Sequence, residues 1–304
     1  METILQVKGL VKSFGTKTAV NNISFEVGTG QKFVFVGPNG AGKTTTIRII
    51  STLLSKDSGE VHYANLELGK DNDAIRRKIG VVFQDHVLDN ELTVTENLAI
   101  RGSFYSLTET QIHKRIDVLT NLLEMEKFVN QRYETLSGGQ KRRADIARAL
   151  MQEPEILFLD EPTTGLDPQT RRIVWGIIDE IRQRLGMTVF LTTHYMEETE
   201  DADHVVIIDD GVIIGSGTPA DLRKQYAPNV LWLYPKSPES FSKVLQEQGM
   251  VFSKVHGAYQ IGVETSFEAL PLIERWRGHL NGFEVNNGSM DDVFIALTGK
   301  EIRE

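Results

Sequence analysis

The chain has 304 residues, 40% hydrophobic and 25% charged, with a formal net charge of -9 and no cysteine. That length allows one large domain plus a smaller one, and the missing cysteines exclude disulfides and thiol chemistry. The acidic balance argues against a broad nucleic-acid surface, and no apolar run approaches the roughly 20 residues that span a bilayer.

The first residues, Met1 to Ile4, lack the basic and apolar regions of a signal peptide, so a cytosolic chain is expected. Ile4 to Val7 alternates like a strand, and Val20 to Val27 and Lys32 to Val36 read as further strands. Phe14 falls in the predicted loop Lys12 to Gly15, where its local chemistry is that of a half-buried aromatic.

Next comes Gly37, Pro38, Asn39, Gly40, Ala41, Gly42, Lys43, Thr44 and Thr45, between an apolar strand and the helical spacing that starts at Thr46. Gly37, Gly42, Lys43 and Thr44 match the phosphate-loop pattern G-x-x-x-x-G-K-[ST]. Glycines let the backbone wrap a polyphosphate with its N–H groups inward. The following helix turns its positive end to the anion. Lys43 supplies a point charge for the β- and γ-phosphates, and Thr44 a hydroxyl for Mg²⁺. At average glycine usage, a chance match in such a chain is on the order of one in a hundred. This stretch predicts a nucleotide site.

Glu60 to Tyr63 and Lys78 to Phe83 read as short strands, the second closed by Gln84. From about 92 to 150 helical periodicity dominates, ending in Leu136-Ser137-Gly138-Gly139-Gln140 and the helix Lys141 to Met151. A serine and two glycines opening a helix form a second candidate anion site. The same residues fit a plain N-cap by Ser137 equally well. Glu155 to Leu159 then runs apolar into Asp160-Glu161, which predicts a buried parallel strand with two carboxylates at its ligand-binding end. One carboxylate can serve the Mg²⁺ shell, and its neighbour, pointing the other way, can polarise water. Thr188 to Thr192 is another such strand, ending at Thr193-His194, and Val205 to Ile208 with Val212 to Ile214 form a hairpin.

In this order and spacing the motifs resemble the ATP-binding subunit of ABC transporters, over roughly residues 1 to 225. The resemblance rests on the phosphate loop, a Q-loop glutamine at Gln84 and the signature Leu136 to Gln140. It continues in the carboxylate strand, a D-loop Thr164-Gly165-Leu166-Asp167 and a switch histidine at His194. Phe14 falls where the family places an adenine-stacking aromatic. The resemblance implies an α/β P-loop ATPase domain, residues 1–226, with a helical subdomain at about 86–150. It implies ATP and Mg²⁺ as ligands and a head-to-tail dimer, either a homodimer or a paired ABC subunit. Each ATP would lie between one phosphate loop and Ser137, Gly138, Gly139 and Gln140 of the other chain, with Asp167 nearby. By the same pattern Glu161 is the base or water-orienting carboxylate, Asp160, Thr44 and Gln84 surround Mg²⁺, and Lys43 and His194 hold the γ-phosphate.

Residues 227–304 are expected to form a small ferredoxin-like α+β domain, from the predicted order β-α-β-β-α-β. A capped amphipathic helix from Met290 follows, similar to the C-terminal segment of drug- and antibiotic-resistance exporters. The implied function is ATP-driven export of a drug, antibiotic, lipid or polysaccharide through separate membrane permease subunits, which would hold the chain on the cytoplasmic face of the membrane. No nucleic-acid partner is expected. The competing reading, a soluble ABC ATPase acting on ribosomes or DNA, is opposed by the single phosphate loop, the absence of sustained heptads and the acidic balance.

Overall fold

All five residues of Lys32–Val36 (β3) are buried, because this strand lies inside a sheet covered on both faces. In the computed structural model, which describes residues 2–299, β3 belongs to a six-stranded sheet. Its neighbours are Ile79–Val82 (β6), Ile156–Asp160 (β7), Thr188–Thr193 (β8), His204–Asp209 (β9) and Val212–Gly217 (β10), in the order β10-β9-β3-β8-β7-β6. The pairs β3–β8, β3–β9, β7–β8 and β6–β7 are parallel. Their C-terminal ends therefore share one edge, where open α/β sheets bind ligands. The β9–β10 turn is two residues, Asp210 and Gly211, both at positive φ, as a two-residue hairpin demands.

A second sheet packs on the first. It is antiparallel, in the order β2-β1-β4-β5, from Thr3–Phe14 (β1), Lys17–Gly28 (β2), Ser58–Tyr63 (β4) and Leu66–Glu67 (β5). Phe25 of β2 meets Phe33, Phe35 and Phe190 of the parallel sheet at ring-centroid distances of 5.5, 5.5 and 5.9 Å. Helices Lys43–Ile50 (α1) and Asn72–Lys78 (α2) complete the core. Phe14 does not sit in a loop: β1 runs on through it, because Gly15 at φ 59° makes the turn.

Between β6 and β7 the chain is helical, with Val94–Ser103 (α3), Glu109–Leu122 (α4) and Gly138–Leu150 (α5), each opened by a capping box. Pro168–Leu185 (α6) joins β7 to β8.

The chain divides into two compact units, one ending at Ser216 and one starting at Gly217. The division precedes the 226/227 boundary read from the sequence, because Pro219–Tyr226 (α7) packs against Met290–Thr298 (α10) of the second unit. That unit's sheet runs β12-β13-β11-β14, built from Asn229–Pro235 (β11), Ser253–Val255 (β12), Ala258–Val263 (β13) and Leu280–Asn286 (β14). Helices Pro238–Glu247 (α8) and Ser266–Trp276 (α9) lie between its strands in sequence, giving the succession β-α-β-β-α-β. Phe241, Tyr259 and Trp276 are buried in a separate core.

Candidate functional site

Each glycine of the phosphate loop has a distinct cause. A Cβ on Gly37 would lie 2.1 Å from the carbonyl oxygen of Ile208 on the neighbouring strand. A Cβ on Gly42 would lie 2.4 Å from the Ala19 oxygen, and Gly42 also holds φ 107°. Gly40 has open space but holds φ 83°, so its need is torsional alone. The loop wraps so tightly that no side chain caps α1, whose N-cap is Gly42 and whose first turn carries no acid. An uncapped first turn leaves its N–H groups without intrahelical partners, which is the chemistry an anion wants.

Lys43 is 3% exposed. Its Nζ donates to the carbonyls of Gly37 at 2.7 Å and Pro38 at 3.0 Å and pairs with Glu161 Oε1 at 3.2 Å, so all three of its donors are used. Burial pushes its pKa down, and the Glu161 carboxylate opposes that shift. Glu161 follows β7 directly at φ 46°, an uncommon conformation for a residue with a side chain and one that gathers at functional sites. Its N–H is held there by the Thr192 carbonyl at 3.1 Å. Its Oε2 lies 3.2 Å from His194 Nδ1 and accepts from Thr164 Oγ1 at 3.2 Å.

Asp160 Oδ1 accepts from Thr44 Oγ1 at 3.2 Å and Thr192 Oγ1 at 2.7 Å. Burial, the largest influence, raises its pKa, and the two hydroxyls pull the other way. The structure thus brings together Lys43, Thr44, Asp160, Glu161 and His194, contributed by the first turn of α1 and by the C-terminal ends of β7 and β8 with the residues that follow them. Among the described residues no group of three His, Cys, Asp or Glu side chains forms a metal cage. A hydroxyl beside one carboxylate at the mouth of an anion cradle suits Mg²⁺, which keeps waters and takes its remaining ligands from phosphate.

The other sequence candidates stand elsewhere. Phe14 is 51% exposed, with Lys12 Nζ 5.5 Å from its ring centroid. Gln84 is exposed, and its backbone carbonyl accepts from Arg142. Ser137 caps α5, its N–H donating to Gln140 Oε1 at 2.9 Å. A Cβ on Gly139 would lie 2.4 Å from Thr170 Cγ2, and one on Gly138 3.1 Å from Leu166 Cδ2. Both glycines thereby let α5 approach the segment after β7. Asp167 caps α6, accepting from the N–H groups of Gln169 and Thr170. Sequence reasoning named Thr164 only as part of the D-loop and missed Thr192 and the buried trio Arg142, Asp145 and Arg148; a hydroxyl at the end of an apolar strand was the signal for Thr192.

A family model described as ABC transporter matches residues 20–164. Linearmycin resistance ATP-binding protein LnrL of Bacillus subtilis is 35% identical over 316 aligned residues, covering 99% of this chain and 100% of that protein. Nod factor export ATP-binding protein I of Rhizobium johnstonii is 34% identical, covering 99% and 96%. Among solved structures, cbiO1 from Clostridium perfringens, part of the ABC transporter complex cbiONQ, is similar with a TM-score of 0.68 at 28% identity, over 82% of this chain and 97% of that one. The ATP-binding cassette MJ0796, solved as a dimer in a post-hydrolysis state with ADP and Pi, gives a TM-score of 0.64 at 30% identity, over 70% and 98%. Likeness along the whole chain to the linearmycin resistance and Nod factor export proteins and the nucleotide-binding geometry agree: this chain belongs to the ABC transporter family, as one of its ATP-binding subunits.

Proposed function

We propose that the chain hydrolyses Mg-ATP in a head-to-tail dimer and so drives export through separate membrane subunits. The observation that carries this reading is the convergence of Lys43, Thr44, Asp160, Glu161 and His194 on one edge of the parallel sheet. The export direction is supported by relatives that match along the whole chain and are named for linearmycin resistance and Nod factor export. Pairing is supported by the dimeric cassette among the similar structures. Among the described residues no helix is long and apolar enough to cross a membrane, which fits a subunit whose pore is supplied by other chains.

In this reading the N–H groups of the phosphate loop and Lys43 take the β- and γ-phosphates, and Phe14 stacks on the adenine. Thr44 and Asp160, with Gln84, would hold Mg²⁺, which would supply positive charge against the phosphates. The arriving phosphate competes with Glu161 for the Lys43 ammonium. Once released from Lys43, Oε1 of Glu161 is free to accept the proton of the attacking water, while Oε2 stays oriented by His194 and Thr164. Water oxygen bonds to the γ-phosphorus as the bond from that phosphorus to the β,γ-bridging oxygen breaks, the water proton passes to Glu161, and ADP and inorganic phosphate leave. Ser137 and Gly139 of the second chain close the site. Their capping geometry is compatible with that role, since a capping box still leaves part of the α5 first turn facing outward.

Two measurements test this. Hydrolysis by the purified chain should be lost with EDTA and with Lys43→Ala; turnover surviving both would overturn the site. A tagged chain should be recovered from membranes with a multi-span protein, and recovery only with ribosomes or DNA would favour the competing reading.

A further inference from the structure

Helix α5 buries three charged side chains at three-residue spacing: Arg142, Asp145 and Arg148, at 2%, 1% and 9% exposure. All three reach the strand and loop that carry Gln84. Arg148 donates to the Val81 carbonyl. Arg142 donates through Nη1 to Phe83 O at 2.6 Å and through Nη2 to Gln84 O at 2.9 Å. Asp145 Oδ2 lies 2.6 Å from His86 Nδ1, while its Oδ1 accepts from Tyr133 Oη at 3.0 Å. The segment 81–86 is thereby fastened at four positions to the helix whose first turn is the Ser137–Gln140 signature.

Stability alone is a weak reason for this arrangement. Burying charges costs desolvation, and an apolar face of similar volume is often at least as stable. The cost is visible here: Nε of Arg142 and of Arg148 is buried with no hydrogen-bond partner. What the charges achieve is geometric. The Arg142 guanidinium fork ties two consecutive carbonyls to one side chain, which an apolar contact cannot do.

We infer that Arg142 and Asp145 are positioning residues that make segment 83–86 and the signature helix one rigid body. Gln84 then cannot approach its own chain's nucleotide without α5 moving too. This rests on the proposed head-to-tail dimer, in which Ser137 serves the opposite site. Each chain is then a strut joining Gln84 in one site to Ser137 in the other. The two sites exchange information through residues that touch neither ATP.

The test is a double-mutant cycle in the full chain, with Gln84→Ala and Arg142→Lys, the lysine keeping charge and losing the fork. Arg142→Lys alone should lower kcat/KM for Mg-ATP about tenfold. In the Gln84→Ala background the same change should add less than about twofold, because it acts through Gln84. A binding readout accompanies the kinetics. In a Glu161→Gln background, Arg142→Lys should weaken Mg-ATP about tenfold, as loss of an outer partner of a metal ligand does, and ATP in EDTA less than about twofold. Asp145→Asn, which keeps size and hydrogen bonding, should move the same quantities in the same direction, and it stands in if Arg142→Lys does not fold. Multiplicative effects in the cycle, or a fall in melting temperature with kcat/KM and Mg-ATP affinity unchanged, would overturn the inference. Gln84→Ala with wild-type kinetics would instead refute the assigned role of Gln84, and the strut with it.

Discussion

Glu161→Gln tests the physics of the site before any turnover. Lys43 and Glu161 side chains are 3% and 7% exposed and 3.2 Å apart, so each is the other's internal counter-ion. Removing one partner of a buried pair costs about 3–5 kcal/mol when it strands the other charge. Here Lys43 keeps two carbonyl acceptors, and the glutamine oxygen can replace the third. Relief of the repulsion that Glu161 exerts on Asp160 offsets part of the loss. What remains is about 1–3 kcal/mol, the size of one hydrogen bond to a charged group. For a unit of this size that is roughly 2–12 °C in melting temperature. Nucleotide-free Glu161→Gln should therefore melt lower than wild type in scanning fluorimetry. Mg-ATP should then raise its melting temperature more than it raises the wild type's, because phosphate replaces the lost counter-charge and no carboxylate opposes it. Hydrolysis should fall by at least about a hundredfold, the lower end for loss of a general base. A nucleotide-free melting temperature equal to wild type, with an equal ATP shift, would refute the reasoning.

Gly37→Ala should destabilise by about 1–3 kcal/mol through forced separation of β3 and β9, read by urea titration, since its Cβ meets backbone and not a movable side chain. Gly139→Ala should impair turnover, and Thr170→Ser, which deletes the offending Cγ2, should restore much of it; failure of that rescue would show that the packing of α5 on α6 is not the cause. Asp160 has a folded pKa above its ordinary value of 3.8, so its contribution to stability is present below that value and is lost as pH rises through the folded pKa. At neutral pH the nucleotide-free Asp160→Asn protein should consequently melt above wild type, and the gain should vanish below about pH 4. A chain ending at Ser216 should fold and bind Mg-ATP, whereas one ending at Tyr226 carries α7 without α10 and exposes Leu222, so it should aggregate more readily.

The phosphate loop was legible because its constraints are local: a buried strand, glycines that steric contact or torsion require, and a lysine opening a helix. Asp160 and Glu161 were legible for a similar reason, since an apolar strand ending in two carboxylates has few other uses. Ser137 was ambiguous because one geometry serves both capping and anion binding, and in the single chain the cap is what forms. Phe14 was misplaced because β1 continues past the alternation at Ile4 to Val7, through a Gly9 at φ 58° and several register shifts that hide the period of two. The Arg142 and Asp145 contacts join residues 59 apart in the chain, and no pattern within either segment announces them. The division after Ser216 left no local signal, because the packing of α7 on α10 links residues some seventy positions apart.

The central claim is that each site is completed by a second chain, and mixing two inactive variants tests it most directly. Lys43→Ala damages the phosphate-loop side of a site, and Ser137→Arg damages the signature side. Each alone should hydrolyse little. In a heterodimer of the two, one site carries both lesions and the other carries neither. With random pairing and independent sites, the mixture should recover about a quarter of wild-type activity per chain. A mixture no more active than its components, alongside wild-type hydrolysis that is independent of protein concentration in a monomer, would contradict the account.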